Sequence, residues 1–336
     1  MTLNYSGPIS VGGSVSGQSI NLELGRSATA SSNLNEAVLR SLAQVLSGTI
    51  SMYNFYGKSR GGQIAFSNQT TNWTVPTGVN SICVVCIGGG ASGIYTGDTY
   101  TSGGGGALSY TNNIAVTPGE VLQVVAGSGG WGSGGGSSYI SRSGTNLILA
   151  VGGQDTYNEY PAGGSASDGV GAFRYSGGDG ALAYTADIIF PADSFRPGGG
   201  GAAGYSGNGG YGSGRRVGNP GSIVGAAAGS GGGGGGGGRS VLPNTFAGAG
   251  GGGTGYYGYD PYMGWAGSDG TTSQSASGGG GGSSGSGGAS NGGGGAYGGG
   301  GGYSQDLGYY AYGGHGAVRI IWGSGRAFPS TNTQNI

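Results

Sequence analysis

The chain contains eight consecutive glycines, Gly231–Gly238, and shorter runs at Gly103–Gly106, Gly198–Gly201, Gly250–Gly253, Gly278–Gly282, Gly292–Gly295 and Gly298–Gly302. These runs restrict the fold more than any other feature. Glycine brings no side chain to a hydrophobic core, and ordering it costs roughly 0.5–1 kcal/mol more than ordering alanine. Such segments either stay disordered or use the bare backbone as packing surface. Glycine and proline, 92 and 10 of 336 residues, reach the share of about 30 % found in low-complexity chains. Against disorder stand 22 Tyr, 7 Phe and 4 Trp, because disordered segments are poor in aromatic residues.

An ordered solution exists. The extended helix of polyproline is open to glycine; it rises ~3.1 Å per residue and has no internal hydrogen bonds. Gly231–Gly238 would span roughly 25 Å in that form. Its N–H and C=O groups point sideways, and buried ones must be paired. Rods packed side by side pair them, at ~0.5–1.5 kcal/mol net per bond, which is comparable with the entropy cost per glycine. The non-glycine patches between the runs then become loops at rod ends.

Charge narrows the function classes. Charged residues make up 7 % of the chain, against an ordinary share of about 25 %. The net charge is −1 and Lys58 is the only lysine. A phosphate binder needs a basic stripe, so nucleic acid is not an expected partner. No apolar stretch approaches the ~20 residues of a membrane helix, so no membrane insertion is expected. Met1–Ser10 has neither the basic start nor the apolar region of a signal peptide. The expectation is a protein made in a cytoplasm.

The fold class read from the sequence is mainly β, in four segments. Residues 1–60 read as a small N-terminal module with one helix. Asn33 and Glu36 have the spacing of a capping box. Leu34, Val38, Leu42 and Val45 fall on one helical face, and Gly48 stands where a C-cap glycine belongs. This predicts a helix over 34–47, and Ser19–Leu24 reads as a short strand. Residues 61–153 read as an antiparallel β-sandwich, with strands at Ile64–Ser67, Trp73–Pro76, Ser81–Ile87, Ala107–Tyr110, Val121–Ala126, Ser138–Ser141 and Leu147–Val151. Turns are marked by Val79-Asn80 and Pro118-Gly119. A further strand at Ala317–Trp322 is expected to return to the same sheet, so that 316–323 closes the scaffold. Residues 154–315 are then a polyglycine bundle with tyrosine-rich loops, and 324–336 a C-terminal tail.

Most chemical motifs dissolve on inspection. Gly88–Gly93 fits G-x-G-x-x-G after an apolar strand, but IYTGDTYTSGGGG follows where a dinucleotide site needs a helix. Gly57-Lys58-Ser59 resembles the end of a phosphate loop, yet Met52 stands where its first glycine belongs. Cys83 and Cys86 lie three apart on a strand and so point to opposite faces; two buried thiols fit better than a metal site. His315 is the single histidine, and nothing marks a partner serine or acid for it. Asp168, Asp179, Asp187 and Asp193 lack the spacing of a calcium loop. The reading is no enzyme, no cofactor and no metal.

The tyrosine patches carry the functional signal. Tyr and Trp bring large, rigid, amphipathic contact area at low entropy cost, alongside Ser, Gly and Asn. YYGYDPYMGW (256–265) and YSQDLGYYAY (303–312) have that composition. The alternative is that these rings only cover the flanks of the rods.

Several stretches also resemble a known class. NWTVPTGVNSICVVCIGGG (72–90), GGGGALSYTNNIAVTPGEVLQVVAGSGG (103–130), GGGSSYI (134–140) and GGHGAVRIIW (313–322) resemble the glycine-rich domain of phage tail-fibre and receptor-binding proteins. Residues 20–59 resemble the N-terminal module of phage tail and baseplate proteins, and GSGRAFPSTNT (323–333) the C-terminal tail of the same class. The distal segment is similar to the tip adhesins of T-even-like phages, which do not share this N-terminal module. The resemblance implies a virion tail protein that docks on other phage tail proteins through its N-terminal module. Its stripe Leu34, Val38, Leu42 and Val45 would be the attachment face. A host surface receptor, an outer-membrane protein or a polysaccharide, would meet Tyr256, Tyr257, Tyr259, Tyr262, Trp265, Tyr309, Tyr310 and Tyr312. Tail fibres are often homotrimers, although a glycine bundle can close within one chain. The competing expectations are a structural baseplate or capsid-decoration protein, an ice-binding protein and a polysaccharide depolymerase.

Overall fold

A computed structural model describes residues 3–43, 45, 47–58, 61–76, 79–95, 99–155, 160–184, 196–216, 219–237, 248–259, 278–283, 285–288, 292–302, 311–323 and 325–335. The chain is mainly β, with 28 % strand and 5 % helix.

The N-terminal residues build a core of their own from Leu3, Ile20, Leu24, Leu39, Leu42, Ala43 and Phe55. Ser19–Leu24 is not the expected strand. Ser19 caps a short helix α1, Ile20–Glu23, by accepting the Leu22 N–H. Ile20 and Leu24, four apart, then both reach the core. A run this short carries either period, and the serine cap decides between them. Helix α2 spans Ala37–Ala43, shorter than expected. Glu36 Oε1 accepts the Asn33 N–H at 2.6 Å, as in a capping box. Gly48 adopts φ +81°, and Arg40 donates to the Val45 and Gly48 carbonyls, closing the C-terminal end. The buried face is shifted from the expected one. Leu39 is fully buried whereas Val38 is 42 % exposed.

Two antiparallel sheets form the scaffold. The first orders β1 (Gly62–Ser67), β14 (Ala317–Trp322), β3 (Ser81–Ile87), β6 (Leu108–Ala115) and β10 (Phe173–Tyr175). The second orders β2 (Gln69–Thr74), β7 (Val121–Ala126), β8 (Ser138–Arg142) and β9 (Thr145–Ala150). The last strand lies between β1 and β3, with Val318 opposite both Phe66 and Cys86. Between the sheets pack Phe66, Trp73, Val84, Cys86, Leu122, Val124, Ile140, Ile148, Val318 and Ile320. Cys83 faces the other way, into a second cluster with Val85, Ile87, Leu108, Tyr110, Tyr205, Ile321 and Phe328. The two thiols are free, buried and on opposite faces.

The glycine segments are ordered rods, and their hydrogen bonds repeat every third residue. Along 88–93, Gly88 and Ala91 donate to Ala107 and Gly104; Gly89 and Ser92 to Gly136 and Ser133; Gly90 and Gly93 to Gly314 and Ala311. Along 198–204, Gly198, Gly201 and Gly204 donate to Ser213, Gly210 and Gly207; Gly199 and Ala202 to Ala249 and Gly252; Gly200 and Ala203 to Gly103 and Gly106. Each rod thus serves three neighbours in rotation, the signature of a three-residue turn. A Cβ added at Gly103, Gly105, Gly201 or Gly236 would lie closer than 3.0 Å to a carbonyl of the adjacent rod. Only bare backbone packs this tightly.

The bundle begins before residue 154. Strand β3 runs directly into rod 88–93, rod 103–106 leads into β6, and rods 127–130 and 134–137 join β7 to β8. Sandwich and bundle are therefore made from the same chain segments prolonged.

Candidate functional site

The rods end in loops, and among the described residues three aromatic groups sit at different places on them. At the ends remote from the scaffold, a third sheet orders β13 (Asn219–Val224), β12 (Gly214–Arg216), β11 (Leu182–Tyr184), β5 (Thr99–Thr101) and β4 (Ile94–Tyr95). In the β4–β5 hairpin the rings of Tyr95 and Tyr100 stack at 4.8 Å, with 16° between planes. The Arg196 guanidinium lies 3.9 Å from the Tyr100 centroid, and Arg196 is itself buried. Ser102 holds the base of the hairpin: its hydroxyl donates to Gly198 O at 2.7 Å and accepts the Ala181 N–H at 2.7 Å.

On the flank of the bundle, Trp131 and Tyr312 stack at 5.9 Å with 22° between planes. Both are exposed, at 65 % and 51 %. Their backbones are held by rod contacts, Gly130 N–H to Gly90 O, Gly313 N–H to Gly130 O and Gly294 N–H to Tyr312 O. His315 is part of this lattice. Its Nδ1 accepts the Gly129 N–H at 2.9 Å, a contact between rods.

The third group lies over the first scaffold sheet. Tyr256 packs against Tyr257 and Tyr297, at 4.7 and 5.0 Å, and against the cluster around Cys83 and Tyr205. The Arg319 guanidinium lies 4.8 Å from the Tyr257 ring and donates to Tyr256 O. Burial pushes the Tyr256 phenol up; hydrogen bonds from Tyr256 and Asn335, with the charge of Arg319, pull the Tyr257 phenol down. Tyr259 is 44 % exposed, and its N–H bonds Pro329 O.

The four expected receptor residues that are described do not form one surface. Tyr256 and Tyr257 serve mainly as packing between the bundle and the sheet. Tyr259 stands beside them on the C-terminal tail, and Tyr312 lies on a rod beyond the end of β3. Tyr262, Trp265, Tyr309 and Tyr310 lie outside the described residues, as do Asp187 and Asp193. Of the expected attachment stripe, Leu42 is buried and Leu34 and Val45 pack on the module's own core. Val38 faces solvent, as do Tyr5 and Tyr53 at 82 % and 81 % exposure. Trp131, Tyr95 and Tyr100 were not expected. A single tryptophan flanked by glycine, GGWGSGGG, was the available sign of the first.

Gly88–Gly93 is a rod followed by β4, so the dinucleotide pattern has no helix to serve it. Asp179 Oδ1 accepts the Gly163 N–H at 3.0 Å, again a rod contact. Among the described residues no group of three or more His, Cys, Asp or Glu is placed to hold a metal ion. Among them, too, no helix is long and apolar enough to cross a membrane.

Fold and site together define a glycine-rod protein: a β-scaffold whose strands continue as cross-linked polyglycine, with aromatic groups on its ends and flanks. Residues 66–272, well over half of the chain, match the family described as Glycine-rich domain, and the protein belongs to that family. A comparison with curated proteins found no match.

Proposed function

We propose that this protein is a phage tail adhesin without enzymatic activity. In this reading the N-terminal module holds it to the tail, and aromatic loops on the glycine bundle touch the host cell surface. The observation that carries the reading is the bonding of the rods in three directions. A scaffold bonded in this way holds its end loops in fixed positions, so the Tyr95–Tyr100 stack under Arg196 is preorganised and loses little entropy on contact. Several copies on one particle would add avidity. The separate core of residues 3–58 and the resemblance to tail and baseplate modules fit an attachment role, with Tyr5, Val15, Val38 and Tyr53 as accessible apolar residues.

Purified full-length protein is expected to coat host cells and to block adsorption of the virion. Tyr100→Ala should weaken coating about tenfold, or about 1.4 kcal/mol, with unchanged secondary structure by circular dichroism. If the wild-type protein coats no cells and labelled tyrosine loops prove buried against other virion proteins, the protein is a structural virion component instead.

A further inference from the structure

On a rod with three residues per turn, side chains at i and i+3 share a face. Rods 127–131 and 312–316 lie side by side, with Gly313 N–H bonded to Gly130 O and Gly316 N–H to Gly127 O, a three-residue repeat. Ser128 and Trp131 therefore stand on one line, and Tyr312 and His315 on the adjacent line. All four are exposed. In a bundle made mostly of glycine and alanine, this is a concentration of side chains on one flank.

We infer that this flank is a saccharide-binding platform, with Trp131 and Tyr312 as the stacking surface for one sugar ring and His315 and Ser128 as its polar rim. The inference rests on the adhesin reading and names its receptor class. The ring planes lie 22° apart and leave 65 % of Trp131 and 51 % of Tyr312 open to solvent. That arrangement offers a flat apolar face, which suits the C–H face of a pyranose. His315 Nδ1 already accepts the Gly129 N–H, so in the neutral ring the proton is on Nε2, which is left as a donor. The Ser128 hydroxyl can donate or accept. None of the four side chains is a fixed charge, which suits a neutral hydroxylated ligand. A protein partner would need roughly 800 Å² on this side, and the rods around the rings offer only backbone and small side chains. The platform is rigid because its backbone is bonded to rods 88–93 and 292–297.

The test uses the full chain on an array of bacterial surface polysaccharides and their oligosaccharide repeats, in parallel with coating of host cells. The wild type is expected to retain a subset of glycans. Trp131→Ala and Tyr312→Ala should each lose at least about tenfold in affinity, about 1.4 kcal/mol, while Tyr312→Phe, which keeps the ring, retains binding. The exposed side chains leave the fold intact, checked by the unfolding midpoint. Glycan binding equal in wild type and alanine variants overturns the inference and leaves the adhesin reading standing. Cell coating without any glycan retained overturns it in favour of a protein receptor. A change of oligomeric state by light scattering in Trp131→Ala overturns it in favour of an interface between copies. No coating and no glycan retained overturns both readings.

Discussion

Arg319 and Arg326 place their guanidinium groups on one acceptor, Gln63 Oε1, at 3.1 and 2.8 Å. Both arginines are buried, at 1 % and 6 % exposure. Arg326 also donates to Gly62 O, Asn332 O and Gln334 O. Burial, reinforced by the charge of Arg319, lowers the Arg326 pKa to about 10. This arrangement ties the C-terminal tail to the edge of the sheet, and the tail in turn supports Tyr259 and Phe328.

Gln63→Leu removes the shared acceptor. An unsatisfied buried donor costs about 1–3 kcal/mol, and more when charged, so the expected loss is at least that large in thermal or denaturant unfolding. Protease cleavage within 325–335 should accelerate in the same variant. Gln63→Glu keeps an acceptor, adds a counter-charge, and should recover most of the loss.

Rod glycines should be intolerant of a methyl group in proportion to how closely backbones approach. Gly105→Ala sets its Cβ against the Gly201 carbonyl, and Gly201→Ala against that of Gly233. Overpacking of this kind costs about 1–3 kcal/mol or more. At Gly287 the nearest backbone atom is 3.2 Å away and the residue is exposed, so Gly287→Ala should cost less than either. Chemical denaturation of the three variants measures the contrast.

The N-terminal module offers a test of which helical face is inside. Leu39→Ala should cost about 2–5 kcal/mol, whereas Val38→Ser, at an exposed position, should change stability by less than about 0.5 kcal/mol. Scanning calorimetry of the full chain reads both.

Alkaline pH should unfold the protein through its buried phenols. Burial pushes the Tyr110 phenol up to about 12, and moves Tyr205 in the same direction. A phenol whose pKa is raised on folding contributes stability that is intact below pH 10 and is lost as pH rises through the folded value. The lowered pKa of Arg326 acts in the opposite sense above pH 10 and softens the slope. Tyrosinate absorbance followed with circular dichroism should show the last phenols ionising together with unfolding.

The strands were legible because runs of apolar and β-branched residues stand between turn signals, on a backbone whose side chains have a period of two. Ser81–Ile87, Val121–Ala126 and Ala317–Trp322 begin and end where the pattern of apolar and β-branched residues does. The same period of two put Cys83 and Cys86 on different faces. The rods were legible as a kind of structure but not as a network. Glycine carries no periodic apolar signal, so nothing in Gly198–Gly201 reveals that it bonds 103–106, 249–252 and 210–213. The sequence reading puts residues 88–136 in the sandwich alone, although most of their glycines lie in rods. Ser19–Leu24 misled because one serine hydroxyl outweighs a short β-like run. Tyr256 and Trp131 show the limit at the site. Composition marks Tyr256 as a contact residue and passes over Trp131, whereas the packing commits the first to a buried cluster and leaves the second exposed.

The rotation of each rod among three neighbours has a consequence for how such proteins diverge. Adding three residues to a rod lengthens it by one full turn, roughly 9 Å, and returns every later peptide to its former direction. Adding one or two turns the remainder away from its partners. Length variation in these masts should therefore proceed in triplets, while the loops between rods are at liberty to change by any number.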